Sequence, residues 1–174
     1  DALNALSAED REAVLQAIFG KDGACFDYCR LPMGANDFAM SFYSSADVAG
    51  DFNLVNFNID RDRYILIPYI KAARQINPDL RIWASPWCPP PWMKTNNHYA
   101  SAVRPSGEKD VNGLLPHEAI AEFSTGFRME EGYLKTYADY FARFIKAYEA
   151  EGLPLECIHV QNEPCSNQVF PSCK

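Results

Sequence analysis

Apolar and polar positions alternate along the chain with two periods, and the switches between them mark out three helices and three strands. Ser7, followed by Asp10, reads as an N-terminal cap with an acidic first turn; Val14, Leu15, Ile18 and Phe19 then recur at helical spacing until Gly20. The run ACFDYCRLPM, residues 24 to 33, is aromatic, apolar and closed by proline, which predicts a strand. A second helix is predicted from Asp60 to Ile76, with Pro68 kinking it or marking its start, and DLRIWASPW follows as the second strand. The third helix has the clearest pattern. Leu134, Tyr137, Ala138, Phe141, Phe144, Ile145 and Tyr148 form one stripe, Lys135, Asp139, Arg143, Lys146 and Glu149 cover the other side, and Gly152 with Pro154 stops it. LECIHVQNEP is then predicted to be the third strand.

This order implies parallel strands joined by crossover helices. The connections are uneven: GANDFAMSFYSSADVAGDFNLVNFN follows the first strand and a longer stretch, Cys88 to Glu131, follows the second, whereas KDG, NP and EGLP lead into the strands. Long loops without elements of their own are usually functional or disordered, and these carry aromatics, Asn and Asp. In a (β/α)8 barrel the face at the strand C-terminal ends holds the active site, and the long loops identify that face. Three strands do not close such a barrel, for which roughly 250 residues is typical. The sequence stops at FPSCK directly after a predicted strand, so residues 1–174 are expected to be part of a catalytic barrel domain, as a piece of a larger protein or one product of a nick. An open doubly wound sheet is the alternative fold, but the first loop has no G-x-G-x-x-G fingerprint.

With 48% hydrophobic and 13% aromatic residues the chain is neither disordered nor fibrous in composition. A net charge of −7, with no run of Lys or Arg longer than a pair, gives no footprint for nucleic acid or an anionic membrane. No window approaches the roughly 18 apolar residues of a membrane span. The N-terminus DALNALSAEDREAV is too acidic for a signal peptide, which leaves open a leader removed or lying upstream. The six cysteines fit neither a disulfide scaffold nor a tight zinc pattern. Cys25, Cys29 and Cys157 fall in strand-like runs and are expected to be buried thiols. Cys157 with His159 falls short of a three- or four-ligand metal site, and Cys165 with Cys173 is the candidate local disulfide if the protein is exported. No cofactor is expected.

Period-two alternation places Cys157, His159, Gln161 and Glu163 on one face of the third strand, with Ile158 and Val160 on the other facing the helices. It likewise groups Phe26, Tyr28 and Arg30, and Trp83, Ser85 and Trp87. Arg30, Trp87 and Glu163 then stand at three strand rims. Each has a plainer reading: Glu163 as a loop cap or a partner of Arg30, Trp87 as core packing, Asp37 and Asn36 as turn formers. A sugar accounts for the set together, because a pyranose stacks one apolar face on indole and offers hydroxyls to Asp, Asn and Arg. Trp87, Asp37, Asn162 and Arg30 would form the glycone pocket, Glu163 would donate the proton, and Trp92 would brace the loop from behind.

The stretches RLPMGANDF, ASPWCPPPWMKTN and HVQNEP, in this order and across nearly the whole chain, resemble glycoside hydrolase family 30. That family includes glucosylceramidases, β-1,6-glucanases and β-xylosidases. The resemblance implies a (β/α)8 TIM barrel with a β-rich side domain that is not in this chain, which would hold roughly strands two to four. Glu163 matches the family's general acid/base, Asn162 the Asn that bonds the sugar 2-hydroxyl, and Asp37, Trp87 and Arg30 match glycone-pocket positions. The family's nucleophile, a second Glu, is expected beyond Lys174. The implied activity is retaining hydrolysis of a β-glucoside or β-glucan, leaning to endo-β-1,6-glucanase because the segment from Asn97 to Glu131 is long and FPSC is similar to bacterial glucan-cleaving members. Cys88 departs from the small residues commoner at its place. Expected partners are a carbohydrate and the remainder of the barrel, with no nucleic acid, and the expected location is secreted, periplasmic or cell-surface in preference to lysosomal. A glucosylceramidase or β-xylosidase of the same family, and a glycan-binding protein without hydrolysis, are the alternatives.

Overall fold

A computed structural model describes residues 2–104 and 112–174. The elements run α1 (Ala8–Phe19), β1 (Tyr28–Met33), α2 (Asp60–Tyr64), α3 (Leu66–Ile76), β2 (Arg81–Pro86) and α4 (Glu131–Ala150), with short 3-10 turns at Ala2–Ala5, Pro91–Met93 and Pro116–Glu118. The two strands are neighbours in one sheet. The Arg81 N–H donates to the Asp27 carbonyl at 2.8 Å, which joins the starts of both strands as parallel pairing requires. Among the described residues no helix is long and apolar enough to cross a membrane.

Helix α1 begins as its sequence predicts: the Ser7 hydroxyl accepts from the Asp10 N–H at 3.0 Å. Its far end explains why the first strand starts later than predicted. Ala24 and Phe26 donate their N–H groups to the Ala17 and Ile18 carbonyls, at 2.8 and 3.0 Å, satisfying helix-end acceptors that would otherwise lack partners. Residues 24 to 26 are thereby committed to the helix end, and Cys25 takes a φ of 52°. Cys25 and Cys157 are exposed and Cys29 half-buried, against the expectation of three buried thiols.

The predicted second helix is two helices, divided at Ile65, whose φ and ψ are −115° and −61°. Pro68 is the third residue of α3, where a missing N–H breaks no intrahelical bond, so the helix starts ahead of the proline. In α4 the deepest residues are Thr136, Tyr140, Phe144 and Tyr148, one every four positions. Leu134 and Ile145, placed in the apolar stripe by pattern alone, are exposed, Leu134 to 44%. The helix ends with the N–H groups of Gly152 and Leu153 on the carbonyls of Glu149 and Tyr148, and Gly152 supplies the left-handed turn at φ 76°.

Pattern fails most clearly at the third predicted strand. Residues 155 to 164 make one parallel bridge, Ala84 to Ile158, and no ladder. The N–H groups of Glu156, His159 and Asn162 donate to the carbonyls of Ile82, Ala84 and Pro86, at 2.8, 2.9 and 2.8 Å. Every third residue of the segment meets every second residue of β2, whereas a regular ladder advances two against two. The predicted two-face alternation is lost with it, and Val160, expected to meet the helices, is 73% exposed.

The chain divides into two compact units: Asp1–Leu31, Ile59–Trp83 and Ile145–Cys157 form one, and Pro32–Asn58, Ala84–Phe144 and Ile158–Lys174 the other. In the first, α1 packs on α3 with the Phe19 and Tyr69 rings edge to face, and Leu15, Phe19, Ile67 and Ile70 are buried. Buried Asp62 accepts a 2.8 Å bond from the Tyr148 hydroxyl. Glu151 receives Arg63 and Lys71, at 2.7 and 3.3 Å, and these two cations hold its carboxyl below the usual glutamate range.

The second unit holds both long loops. The first is tied to α4, where Arg143 donates to the Leu54 and Asn53 carbonyls at 2.8 Å each and the Tyr140 hydroxyl accepts from the Ser45 N–H. The Trp92 indole N–H donates to the Ala46 carbonyl at 2.8 Å while its ring packs against Phe52 and Tyr133, which is the bracing expected of it. The second loop is organised by Lys94, which is fully buried. Its ammonium reaches the carbonyls of Ser172, Tyr99 and Ala100 and the Ser101 hydroxyl, at 2.7, 3.0, 3.1 and 3.2 Å. Burial holds its pKa below the ordinary lysine value, against the opposing pull of Cys88 and Cys173. Burial also pushes the Cys88 thiol up to about 12. All six cysteines are free thiols, so the candidate pair Cys165 and Cys173 is not bonded: Cys165 is exposed and Cys173 buried. Residues 105–111 of this loop lie outside the described residues.

Two outcomes follow for stability. Tyr148→Phe strips a buried carboxylate of one donor and should lower the unfolding free energy by about 1–3 kcal/mol in urea titration. Lys94→Met leaves four acceptors without their cation and should cost about 3–5 kcal/mol. Because the unfolded chain binds the Lys94 proton more tightly than the folded one, this group's contribution to stability rises with pH from its folded value towards about 10.4. The alkaline rise in thermal midpoint should therefore be weaker in Lys94→Met than in the parent.

Candidate active site

The end of β2 and the segment 158–163 are fastened together in the second unit. Asn162 donates its backbone N–H to the Pro86 carbonyl at 2.8 Å, and the Gln161 side-chain amide donates to the Trp87 carbonyl at 2.7 Å and to the Asn162 carbonyl at 2.8 Å. Gln161 and Asn162, the two residues before Glu163, are thus registered against Pro86 and Trp87. Prolines stiffen the opposite side, with Pro86, Pro89 and Pro90 fully buried.

Glu163 is exposed and takes a φ of 46°. A non-glycine residue in the left-handed region costs about 1–2 kcal/mol, and Pro164, which follows it, further restricts the backbone. Strained positions of this kind cluster at functional sites. The geometry has a local consequence: the chain turns here, closed by the Ser166 N–H on the Glu163 carbonyl at 3.0 Å. The carboxylate oxygen Oε2 accepts a 3.3 Å bond from the Gln168 side-chain amide.

The remaining candidates fall as follows. Trp87 is 6% exposed, so its plainer reading as packing holds in this chain. Asn36 behaves as a turn former, with its side chain accepting from the Phe38 N–H at 3.1 Å, and Asp37 in the middle of that turn is exposed. Asp37, Trp87, Asn162 and Glu163 all belong to the second unit, and the backbone bonds above bring the last three together. Arg30 belongs to the first unit, on the exposed side of β1, with its guanidinium 5.5 Å from the centre of the Trp83 ring. Cys157 and His159 are both exposed, and no group of three or more His, Cys, Asp or Glu among the described residues is placed to hold a metal.

Two residues at the rim escaped the sequence reading. Lys94 had a signal, since a charge set among Trp, Met and three prolines is a candidate for burial with full hydrogen bonding. Gln168 had none, because it lies in an irregular loop where no period applies. What the arrangement can do chemically is present one accessible carboxylate, with an amide beside it, at the end of a strand-aligned segment.

The model of the glycosyl hydrolase family 30 TIM-barrel domain matches residues 1–170. Over 167 residues the chain is 30% identical to the lysosomal acid glucosylceramidase of Mus musculus, covering 94% of this chain and 28% of that protein. It is also 30% identical over 168 residues to the endo-1,6-β-D-glucanase of Neurospora crassa, covering 95% and 31%. The crystal structure of SrfJ from Salmonella typhimurium superposes with a TM-score of 0.76 at 25% identity, over 98% of this chain and 33% of that one. The chain spans about a third of the length of the relatives it matches. With the family model covering nearly its whole length, the chain belongs to glycosyl hydrolase family 30 and forms part of that family's TIM-barrel domain.

Proposed function

We propose that the protein is a retaining β-glycoside hydrolase in which Glu163 is the general acid/base, acting on a β-1,6-linked glucan. The observation that carries this reading is the placement of Glu163: exposed, in a left-handed turn, directly after a residue bonded to the end of β2.

In this mechanism protonated Glu163 donates to the leaving glycosidic oxygen while a second Glu, in a part of the barrel beyond Lys174, attacks the anomeric carbon. The two carboxyls of a retaining site stand about 5–5.5 Å apart. Once the glycosyl-enzyme has formed, the Glu163 carboxylate takes a proton from water, which releases the sugar. Asn162, beside it, would bond the sugar 2-hydroxyl and Asp37 another hydroxyl, with Trp87 against the ring. The long loop from Asn97 to Glu131 supports an extended glucan over a compact glycoside. The equal similarity to a glucosylceramidase makes glucosylceramide the second substrate to test. A polymeric glucan does not cross a membrane, so an exported protein is part of the same reading.

The test uses the protein with its complete barrel. β-1,6-Glucan should be cleaved in preference to glucosylceramide and to a β-xyloside, and Glu163→Gln should lower kcat/KM on the glucan by about 10²–10⁴-fold. If the Gln variant cleaves glucan as fast as the parent, Glu163 is not the acid. If the parent binds glucan without cleaving it, the protein is a glycan-binding member of the family.

A further inference from the structure

We infer that Gln168 is the positioning residue for Glu163, fixing which carboxylate oxygen carries the catalytic proton; the inference rests on the reading of Glu163 as general acid/base. The Gln168 side-chain Nε2 donates to Glu163 Oε2 at 3.3 Å. A neutral amide suits this task better than a cation. It holds no titrating proton, so the same bond survives whether Glu163 is protonated, as in the first step, or charged, as in the second. With Oε2 occupied by a donated N–H, the proton to be delivered resides on Oε1.

An orienting group must itself be held, and Gln168 is among the most firmly tied residues of the rim. Its N–H donates to the Ser172 hydroxyl at 3.1 Å, and its carbonyl accepts from the N–H groups of Ser101 and Ala102, at 3.0 and 2.9 Å, and from the Ser172 hydroxyl at 3.3 Å. Ser101 and Ser172 are both buried, and both are bound by the Lys94 ammonium, Ser101 through its hydroxyl at 3.2 Å and Ser172 through its carbonyl at 2.7 Å. The Ser101 hydroxyl in turn donates to the Ser172 carbonyl at 3.0 Å. Between Glu163 and Gln168, the Ser166 N–H closes the turn on Glu163 and the Asn167 side chain donates to the Ile120 carbonyl at 3.1 Å. The buried lysine therefore reaches the catalytic carboxylate through two residues, Ser101 or Ser172 and then Gln168. Among the described residues, all the anchoring bonds of Gln168 come from its backbone, and only the contact to Glu163 comes from its side chain. Side-chain substitution can thus remove the contact while the loop stays in place.

Leaving-group dependence separates positioning from general loss of structure. A glucan leaving group must be protonated to depart, whereas dinitrophenolate departs without an acid. In the protein with its complete barrel, Gln168→Met, similar in size and lacking the donor, should lower kcat on β-1,6-glucan about tenfold, a part of the whole acid/base contribution of 10²–10⁴. KM and the thermal midpoint should stay as in the parent, and kcat/KM on dinitrophenyl β-glucoside should stay within about twofold. Gln168→Glu, which keeps the length but cannot donate when ionised, should show the same selective loss. Equal losses on both substrates, or no loss on either, in both variants would overturn the role of Gln168. Glu163→Gln, assayed alongside, distinguishes the two failures: if it shows the selective loss and the Gln168 variants do not, only the positioning role falls; if it cleaves glucan like the parent, the acid/base assignment falls as well.

Discussion

The bond from the Asn162 N–H to the Pro86 carbonyl is the constraint on which the candidate site depends. It is the last of three contacts that walk the segment 156–162 along β2, and it sets the height at which Glu163 leaves the sheet. Pro86 suits this position because it supplies a carbonyl at the strand end while its ring, fully buried, fixes the backbone that carries it. Gln161 repeats the fastening one residue away through its side chain, on the Trp87 carbonyl. A carboxylate on a strained turn keeps a defined position only if the residues before it are held this way.

The second unit meets that demand with polar chemistry as well as with apolar packing. Among the described residues buried Lys94 has no acidic partner, and its charge is met by three carbonyls and a hydroxyl from two separate stretches of chain. Removing an ammonium from water is costly unless its protons are fully bonded. The return is cross-linking: one side chain joins the PPPWMK loop to residues 99–101 and to residue 172. The thiols of Cys88 and Cys173 share this interior and stay protonated there by burial, so the departure of Cys88 from the family's usual residues is accommodated as a buried neutral group.

Much of this architecture was legible in the amino-acid sequence because helices announce both ends. Ser7 and Gly20 bound α1, and Gly152 ends α4, since capping groups act locally and do not depend on distant partners. The inward face of α4 was harder: Tyr140 is fully buried and Leu134 is exposed, because tertiary partners such as Ser45 and Phe57 select the face and residue type does not. The strand expected over residues 155–164 was misread for a related reason. Alternation assumes two residues per step, and a segment that spends three against two of its neighbour has no alternating faces. At the candidate site, QNEP singled out Glu163 and Asn162, and the tryptophan and proline loop singled out Trp87, but the burial of Trp87 was not legible. The anchoring of Gln168 by Ser101 and Ala102 and the reach of Lys94 to Ser172 depend on contacts across tens of residues, which no local pattern records.

The most direct test of the central claim is a crystal structure of the protein with its complete barrel, as the Glu163→Gln variant, holding an uncleaved β-1,6-linked gluco-oligosaccharide. The account predicts a glucose ring bounded by Trp87, Asp37 and Asn162, with the side chain at position 163 within about 2.6–3.2 Å of the glycosidic oxygen. A ring bound elsewhere, or a glycosidic oxygen out of reach of that side chain, would contradict it.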